Sequence, residues 1–374
     1  MPMIIILCIV TLLAVIQLWI YRGRALKRVD AEVHFSNNIA NHGDVVQVVE
    51  SISNRKKLPI PIVIMKFEAP RKLRFLDMTN TSLSDLYYRE DMMALRGYQK
   101  HTRTIQVECA ERGFFEFKRF LLSSTDLLFL SRFSQEFSCH STLLVLPEVL
   151  PNIDIDRILS APIGDQATRR ALLSDPFSFS GIREYEPFDS FRAINWKATA
   201  KKDELMVNQL AYTLEHNITI LLNVNEYNTK GSTFLTEKSI AAVYTLLLAL
   251  EARDISAGVY SNSKDKFTKT SIAFSAGNNE DQATLRGMDL ARIDLRQKAF
   301  SFDSLLQHVL EQGKDRPYLV IVSAAFDTTF QENLASLVTR SIPFLWILPW
   351  TKESGLPAIN DALMPYVMDL EVAK

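Results

Sequence analysis

An uninterrupted apolar segment at the N-terminus constrains this chain most. Residues 3–21 read MIIILCIVTLLAVIQLWIY, in which only Thr11 and Gln17 are polar. A helix needs about 20 apolar residues to cross the hydrocarbon core of a bilayer. The segment therefore predicts a transmembrane helix. A cleaved signal peptide is the alternative, but the segment has neither a basic leading region nor an A-x-A-like cleavage site, and it is long for a signal sequence.

Basic residues flank this segment on one side only. Arg22, Arg24, Lys27 and Arg28 follow its C-terminal end, whereas no basic residue precedes it. Because short cytoplasmic flanks are enriched in Lys and Arg, we expect a single-pass protein whose soluble domains lie in the cytoplasm.

Two further features agree with this topology. Trp19 and Tyr21 lie at the end where an interfacial aromatic belt is expected. Cys8, Cys109 and Cys139 are odd in number and far apart, so they form no disulfide framework and indicate a reducing compartment.

Length, charge and motif content exclude several classes of protein. A chain of 374 residues suggests two domains. Its 42 basic and 43 acidic residues leave a formal net charge of -1, so bulk electrostatics do not favour nucleic acid as a partner. The glycines form neither a GxGxxG nor a GxxxxGK motif. The histidines and cysteines show no metal-ligand spacing. We expect no cofactor.

Residues 29–150 are rich in short β-prone segments. These are AEVHFS, VVQVVESI, IPIVIMKFEA, TRTIQVECA, GFFEFKRFLLSS and STLLVLPEV. Several alternate polar and apolar residues, the period of half-buried strands, and together they predict a small antiparallel β-sandwich. The segment 80–94, NTSLSDLYYREDMMA, predicts a loop or short helix that interrupts it.

Residues 215–374 show a different pattern, in which apolar strands alternate with helices. Strands are predicted at NITILLNV, ISAGVYS, PYLVIVSAA and IPFLWILPW, and helices at 236–253, 280–294, 303–312 and QENLASLVTR. This order predicts a doubly wound α/β domain. Its functional site is expected at the carboxyl ends of the strands, near 223–227 and 323–327. Residues 151–214 mix charge with Pro and Gly and predict a linker, and residues 1–28 form the anchor and its basic flank.

The linker contains a motif that is dense in charged and aromatic residues, GIREYEPFDSFRAINWKATAKKDELMVNQ. It resembles the signature of the bacterial domain-of-unknown-function 58 family, approximately R-E-Y-x-P-G-D-x-x-R-x-I-x-W-K-x-[ST]-A-[RK]. The matching residues are Arg183, Glu184, Tyr185, Pro187, Asp189, Arg192, Ile194, Trp196, Lys197, Thr199, Ala200 and Lys201. Phe188 stands where the family usually has Gly, which puts a close backbone approach at this position in doubt.

The resemblance implies a fold and partners. The α/β part of the family is similar to a von Willebrand factor A domain (Rossmann-like). Proteins of the family resemble ones that are encoded near MoxR-type AAA+ ATPases and transglutaminase-like membrane proteins. The resemblance therefore implies both as partners. A metal-binding A domain uses D-x-S-x-S after its first strand, where a carboxylate and hydroxyls bind a hard cation. Asn223, Asn225 and Tyr227 occupy the matching positions here, so we expect a degenerate site and no metal.

The motif itself admits two interpretations, which can coexist. Its balanced charges favour internal ion pairs, so it can be a clasp that joins the two domains. Alternatively it is a docking surface for a partner, because Tyr, Arg and Trp are enriched at binding hot spots. Both interpretations use the same residues, namely Arg183, Glu184, Tyr185, Asp189, Arg192, Trp196 and Lys197.

The sequence therefore predicts a membrane-anchored, non-enzymatic adaptor at the bacterial inner membrane, which acts with a MoxR-type AAA+ ATPase in assembly or maturation. The alternative is a membrane-bound hydrolase with its site at the strand ends of the α/β domain. An enzyme should show a deep polar pocket with convergent ionisable groups near Asn223 and Asp327, whereas an adaptor should show a broad, shallow surface.

Reporter fusions test the predicted topology. Because the basic flank should stay in the cytoplasm, we expect a C-terminal reporter that works only in the cytoplasm to be active. The same fusion with a reporter that works only outside should be inactive. The opposite pattern would refute the orientation.

Overall fold

The computed structural model describes residues 2–151, 153–160, 174–184, 195–202, 204–212, 218–225, 232–275, 282–312 and 318–373. These divide into two compact units. The first contains Met1–Val149 and Arg286–Ile293, and the second contains Leu150–Leu285 and Asp294–Lys374. The chain is a mixed α/β protein with an apolar N-terminal helix.

The first unit begins with helix α1, Pro2–Tyr21, and continues with strands in two sheets. One sheet has the order β1 (Val29–Phe35), β3 (Val45–Asn54), β8 (Lys100–Cys109), β5 (Leu73–Phe75), and all its pairs are antiparallel. The other has the order β2 (Ile39–Ala40), β10 (Arg132–Val145), β9 (Gly113–Thr125), β4 (Ile60–Pro70), β7 (Leu86–Leu95), β6 (Thr81–Leu83), with only the β2–β10 pair parallel. Inward side chains of both sheets share one hydrophobic core, in which Phe35 of β1 stacks on Phe117 of β9.

Helix α1 is long and apolar enough to cross a membrane, and none of its residues from Met3 to Ile20 is buried within the protein. Its last residue does not fit the aromatic belt expected from the sequence. Tyr21 is buried, and its hydroxyl donates to the carbonyl of Pro59 at 3.0 Å. Lys56 Nζ donates to the carbonyls of Ala25 and Lys27 at 2.7 and 3.1 Å, and burial lowers the pKa of Lys56 to about 8. The helix end is thus tied to the loop between β3 and β4.

The prediction of a loop or short helix at 80–94 is wrong, because this segment forms β6 and most of β7. Strand β7 alternates buried and exposed residues, but Arg89 and Asp91 are among the inward ones. Two charged residues at core positions hide the apolar alternation by which strands are recognised. The sequence also missed two edge strands of the second unit, Ser271–Phe274 and Val367–Glu371.

Arg89 and Asp91 belong to a buried ionic cluster in the first unit. Arg89 Nε donates to Asp91 Oδ2 at 2.6 Å, and Arg103 Nη1 donates to Asp91 Oδ1. Glu50 of β3 is 1% exposed. Its pKa is raised to about 8, first by burial and then by the negative charge of Asp91. The cluster thus places polar groups of both sheets inside the shared core.

The second unit begins with helix α2 (Ile155–Ser160), strand β11 (Ser174–Glu184), helix α3 (Trp196–Lys202) and strand β12 (Met206–Tyr212). Strands β11 and β12 pair antiparallel, so the predicted linker contains secondary structure of its own. The elements that follow along the chain are β13 (Ile218–Asn223), α4 (Ser232–Glu251), β14 (Ala257–Lys264), β15 (Ser271–Phe274), α5 (Gln282–Ala291), α6 (Phe302–Gln312), β16 (Tyr318–Ser323), α7 (Thr328–Thr339), β17 (Phe344–Trp350), a 3-10 turn at Met364–Tyr366 and β18 (Val367–Glu371). The residues of α5 from Arg286 onward belong to the first unit.

These strands form a six-stranded sheet in the order β15-β14-β13-β16-β17-β18. All neighbours are parallel except β14 and β15. Strands β13 and β16 are almost continuously apolar and buried, as strands covered on both faces must be. Helix α4 is also apolar enough to cross a membrane, but most of it is buried. We therefore assign it to the core of this unit.

Glu50 generates a prediction about pH. From about pH 5 to about pH 8 the folded protein keeps a proton on Glu50 that the unfolded chain has released, so the folded state binds more protons. The stability of the first unit should therefore fall as the pH rises through this window. Glu50→Gln should weaken this dependence, and thermal unfolding of the full chain across the pH range measures it. Glu68→Gln, at an exposed position of β4, is the matched control. Equal pH slopes for wild type and Glu50→Gln would contradict the assignment.

Candidate functional site

The carboxyl ends of three parallel strands meet at one edge of the second sheet. Strand β13 lies between β14 and β16, and its last residue, Asn223, is the register partner of Ser323, the last residue of β16. On the other side, Leu222 pairs with Ser261 of β14, which brings Asn262 to the same edge. This edge is where ligands bind in open α/β sheets.

Three buried polar side chains form a hydrogen-bonded cluster at this edge. Asn223 Nδ2 donates to Ser323 Oγ at 3.0 Å, and Asn262 Nδ2 donates to Asn223 Oδ1 at 2.7 Å. The backbone joins them, because Val224 N donates to Asn262 Oδ1 at 2.9 Å and Asn225 N donates to Asn223 Oδ1 at 3.1 Å. We call Asn223, Asn262 and Ser323 the strand-end cluster.

The strand-end cluster is electrically neutral and nearly inaccessible, since its members are at most 2% exposed. Ser323 Oγ also accepts from Ala325 N at 3.0 Å. Amide and hydroxyl groups can be buried at low cost when they are bonded to one another, whereas a carboxylate here would need a counter-charge. The arrangement therefore fixes the strand ends and the first residues beyond them.

The donor set does not fit a divalent cation of the kind that a metal-binding A domain holds. Asn223 Oδ1 already accepts two N–H groups, and Ser323 Oγ is likewise engaged. Hard cations are bound mainly by carboxylate oxygens. In the described residues no group of three or more His, Cys, Asp or Glu is placed to hold a metal ion. The absence of a metal stays a prediction.

A cavity of about 560 Å³ opens beside the cluster. It is lined by Val224, Asn225, Leu295, Arg296, Gln297, Lys298, Ala299, Phe300 and Ser301. The wall formed by 295–301 is tied to the sheet by Asn262, whose Nδ2 donates to the carbonyl of Phe300 at 3.0 Å. Phe300 N in turn donates to the carbonyl of Asn262 at 3.0 Å. One buried asparagine thus holds both the strand ends and the cavity wall.

The cavity wall is basic. Arg296 and Lys298 line it and are exposed, and Lys264 Nζ lies 4.8 Å from the centroid of the Phe300 ring. Burial alone would raise the pKa of Asp294 at the start of this loop. Hydrogen bonds from the Gln297 side chain and Arg296 N, with the charges of Arg296 and Lys266, lower it overall. The described lining residues include cations but no Asp, Glu, His or Cys.

The structure places the positions that the sequence singled out at the strand ends as follows. Asn223 is in the strand-end cluster and Asn225 lines the cavity, whereas Tyr227 lies outside the described residues. Asp327 is the N-cap of α7, where its side chain accepts from Phe330 N at 3.4 Å. Sequence reasoning missed Asn262. The signal was available, because SNS at 261–263 is a polar run at the end of an otherwise apolar strand.

The motif residues are only partly described. Tyr185, Phe188, Asp189 and Arg192 lie outside the described residues, and Arg183 and Glu184 are described only by the backbone of β11. Trp196 is the first residue of α3 and is 67% exposed.

The exposed Trp196 begins the short helix α3, whose N-terminus is capped. Lys197 is exposed beside it. Asn195 Oδ1 accepts from Ala198 N at 2.9 Å and so caps the helix, and Thr199 Oγ1 accepts from Met206 N at 3.0 Å. The second of these bonds holds α3 against the start of β12. The roles predicted for the motif remain predictions.

Comparison with known proteins finds a family match over part of the chain. Residues 181–345 match the family described as Protein of unknown function DUF58. This confirms, over residues 181–345, the resemblance carried by the motif.

One curated relative is the uncharacterized protein YeaD of Bacillus subtilis. It is 23% identical over 228 residues, which cover 58% of this chain and 52% of that protein. The chain thus spans about half the length of this relative.

Similarities to solved structures are weak. A non-cellulosomal cohesin from Archaeoglobus fulgidus is 13% identical, covers 31% of this chain and 91% of its own, and has a TM-score of 0.22. A CARDB domain from Pyrococcus furiosus is 11% identical, covers 32% of this chain and 90% of its own, and has a TM-score of 0.21. At these TM-scores neither similarity supports an argument about fold or function.

Replacing Asn262 tests the strand-end cluster. Asn262→Ala leaves Val224 N without its acceptor, removes one of the two donors to Asn223 Oδ1 and releases the Phe300 carbonyl, which should cost about 1–3 kcal/mol. We expect a lower thermal midpoint and faster amide exchange at Val224. Asn225→Ala is the matched control, since Asn225 joins the network through its backbone N–H. Equal midpoints for the two variants would show that the cluster does not organise this edge.

Proposed function

We propose that this protein is a membrane-anchored, non-enzymatic adaptor whose second unit presents a binding surface. The observation that carries the proposal is the strand-end cluster. At the edge where an α/β enzyme needs ionisable groups, Asn223, Asn262 and Ser323 are buried and bonded to one another. Such groups organise a surface, but they neither transfer protons at neutral pH nor act as activated nucleophiles without a base.

Two finer features of the fold belong to this proposal. The two sheets of the first unit share one core, which supports a β-sandwich. The second sheet has the order β15-β14-β13-β16-β17-β18 with an antiparallel strand at one edge only, which supports a doubly wound, von Willebrand factor A-like domain. A degenerate A domain would keep the strand-end geometry while replacing its cation ligands.

The strand-end site gives no specific support to a hydrolase. Asp327, the acidic candidate singled out in the sequence, caps α7 through its Oδ2. Among the described residues that line the cavity, the charged ones are Arg296 and Lys298, which can neutralise an anion. A surface of this kind suits recognition of a carboxylate-bearing segment of a partner protein.

The proposed partner is a MoxR-type AAA+ ATPase, as the family resemblance implies, at the inner membrane of a bacterium. A transglutaminase-like membrane protein is a second partner implied in the same way. Trp196 supports a docking role for the motif, because a Trp with 67% exposure on a short capped helix is a costly residue to leave in water. The soluble units would then lie on the cytoplasmic side, where such an ATPase has its nucleotide.

Crosslinking and affinity purification of the full chain from native membranes test this proposal. We expect the wild type to recover a MoxR-type ATPase. Trp196→Ala should lower the recovery by about tenfold or more, as loss of a hot-spot residue does. Phe267→Ala, which removes another exposed aromatic residue of the second unit, should leave recovery unchanged.

Two outcomes would contradict the proposal. Failure of the wild type to recover any AAA+ ATPase would overturn the partner. Equal recovery by wild type and Trp196→Ala, with both shown to be folded by their thermal midpoints, would remove the motif from the docking surface.

A further inference from the structure

The loop between β9 and β10 exposes a run of large apolar residues. Leu127, Leu128, Phe129 and Leu130 are 51–61% exposed, in the sequence DLLFLS at 126–131. Soluble surfaces rarely carry such a run, and a contiguous apolar patch marks an interaction site. We call residues Leu127–Leu130 the apolar loop.

The conformation of the apolar loop is fixed from its base. Asp126 is buried, and its Oδ1 accepts from Leu130 N at 2.8 Å. Phe129 N donates to the carbonyl of Asp126 at 3.3 Å, and Phe129 has a positive φ of 58°. A left-handed backbone conformation is sterically unfavourable for a bulky residue such as Phe129. The turn therefore presents the four side chains to the outside in a defined arrangement.

The strand register places the apolar loop at the same end of the first unit as the exit of α1. Strand β1, which follows α1, starts with the pair Val29–Asn54, and β3 leads from there into the loop 55–59. Strand β4 starts with the pair Ile60–Leu95, next to the loop 96–99, and Thr125 pairs with Arg132 on either side of the apolar loop. Strand β4 also pairs with β9 near this end, at Val63–Ser124. The loop 55–59, the loop 96–99 and the apolar loop therefore lie at the same end of the first unit.

Contacts tie this end directly to the helix. Tyr21, the last residue of α1, donates to Pro59, and Lys56 donates to Ala25 and Lys27. The apolar loop therefore lies at the end of the first unit to which α1 is attached.

The same end of the first unit is basic. Its exposed basic residues are Arg22, Arg24, Lys27, Arg28, Arg55, Lys57, Arg96, Lys100 and Arg132. Asp30 is paired with Arg55, and Asp126 is buried. Basic residues near a membrane surface attract anionic headgroups, and apolar residues beside them enter the interface. The exposed Tyr98 at this end suits the same boundary.

From this geometry we propose that the apolar loop inserts into the bilayer crossed by α1, forming a second membrane contact, with the surrounding basic residues on anionic phospholipid headgroups. The inference rests on the membrane anchor of the proposed function. With two contacts instead of one, the first unit cannot rotate freely about the end of α1, so its orientation to the bilayer is fixed.

Spin-label accessibility in the full chain tests this inference. The chain carries Cys8→Ser and a nitroxide at Leu128→Cys, and is reconstituted in vesicles of phosphatidylglycerol and phosphatidylcholine. Cys109 and Cys139 are buried and their thiol pKa values are raised by burial, so they should stay unlabelled. The matched control is Leu83→Cys, at an exposed leucine whose pairing with Tyr87 places it at the opposite end of β7 from Leu95.

We expect the ratio of oxygen to nickel-complex accessibility to be about fivefold or more higher at position 128 than at position 83, because oxygen concentrates in lipid and the complex in water. The ratio should fall in vesicles of phosphatidylcholine alone. Flotation of the labelled chain with alkali-washed vesicles checks the anchor separately.

Each further outcome is decisive. If the chain does not float with the vesicles, the anchor fails, and this inference fails with it. If the chain floats but position 128 is as accessible to the nickel complex as position 83, the anchor stands and the inference is overturned. If position 128 is shielded from both reagents, a protein surface covers the loop, which also overturns lipid contact.

Discussion

The junction between the N-terminal helix and the first strand is the constraint on which the arrangement of the first unit depends. Only the connection Arg22–Arg28 separates α1 from β1. Tyr21 at the end of the helix is bonded to Pro59, and Lys56 is bonded to Ala25 and Lys27 within the connection. A tether held this closely cannot act as a flexible linker. In the membrane-anchored arrangement that we propose, the end of the unit that carries this junction stays at the membrane surface, and its basic and apolar side chains match that position.

The two units solve the burial of polar groups in opposite ways. The first keeps the charges of Arg89, Asp91 and Arg103 in contact between its sheets. Buried ion pairs cost solvation energy that only good geometry recovers, so such a cluster contributes more to the specificity of strand pairing than to stability. The second unit keeps its strand-end cluster neutral. Asn223 and Asn262 satisfy each other and the adjoining backbone, and this allows a rigid edge without a bound ion or a titrating group.

These features are consistent with the adaptor that we propose. An adaptor needs a fixed position at the membrane, a surface for its partner and no chemistry of its own. The junction at Tyr21 and the apolar loop address the first need, and the exposed Trp196 with the cation-lined cavity addresses the second. A rigid binding surface loses less entropy on association than a mobile one, which is the physical benefit of tying the cavity wall to Asn262.

The sequence by itself determined the apolar helix, the strand-rich and mixed α/β parts, and the family resemblance of residues 181–345, because hydrophobic periodicity and the motif at 183–201 are local signals. At the strand ends the sequence also located Asn223, because an apolar strand that stops at a polar residue can be recognised from the sequence alone. It could not locate β7, because Arg89 and Asp91 are charged residues at buried positions, where they pair with each other and with Arg103 of β8. Nor could it bring Asn262 and Phe300 to Asn223, or the apolar loop to Tyr21. Those neighbours are set by strand order and register, which depend on pairings between residues far apart in the chain.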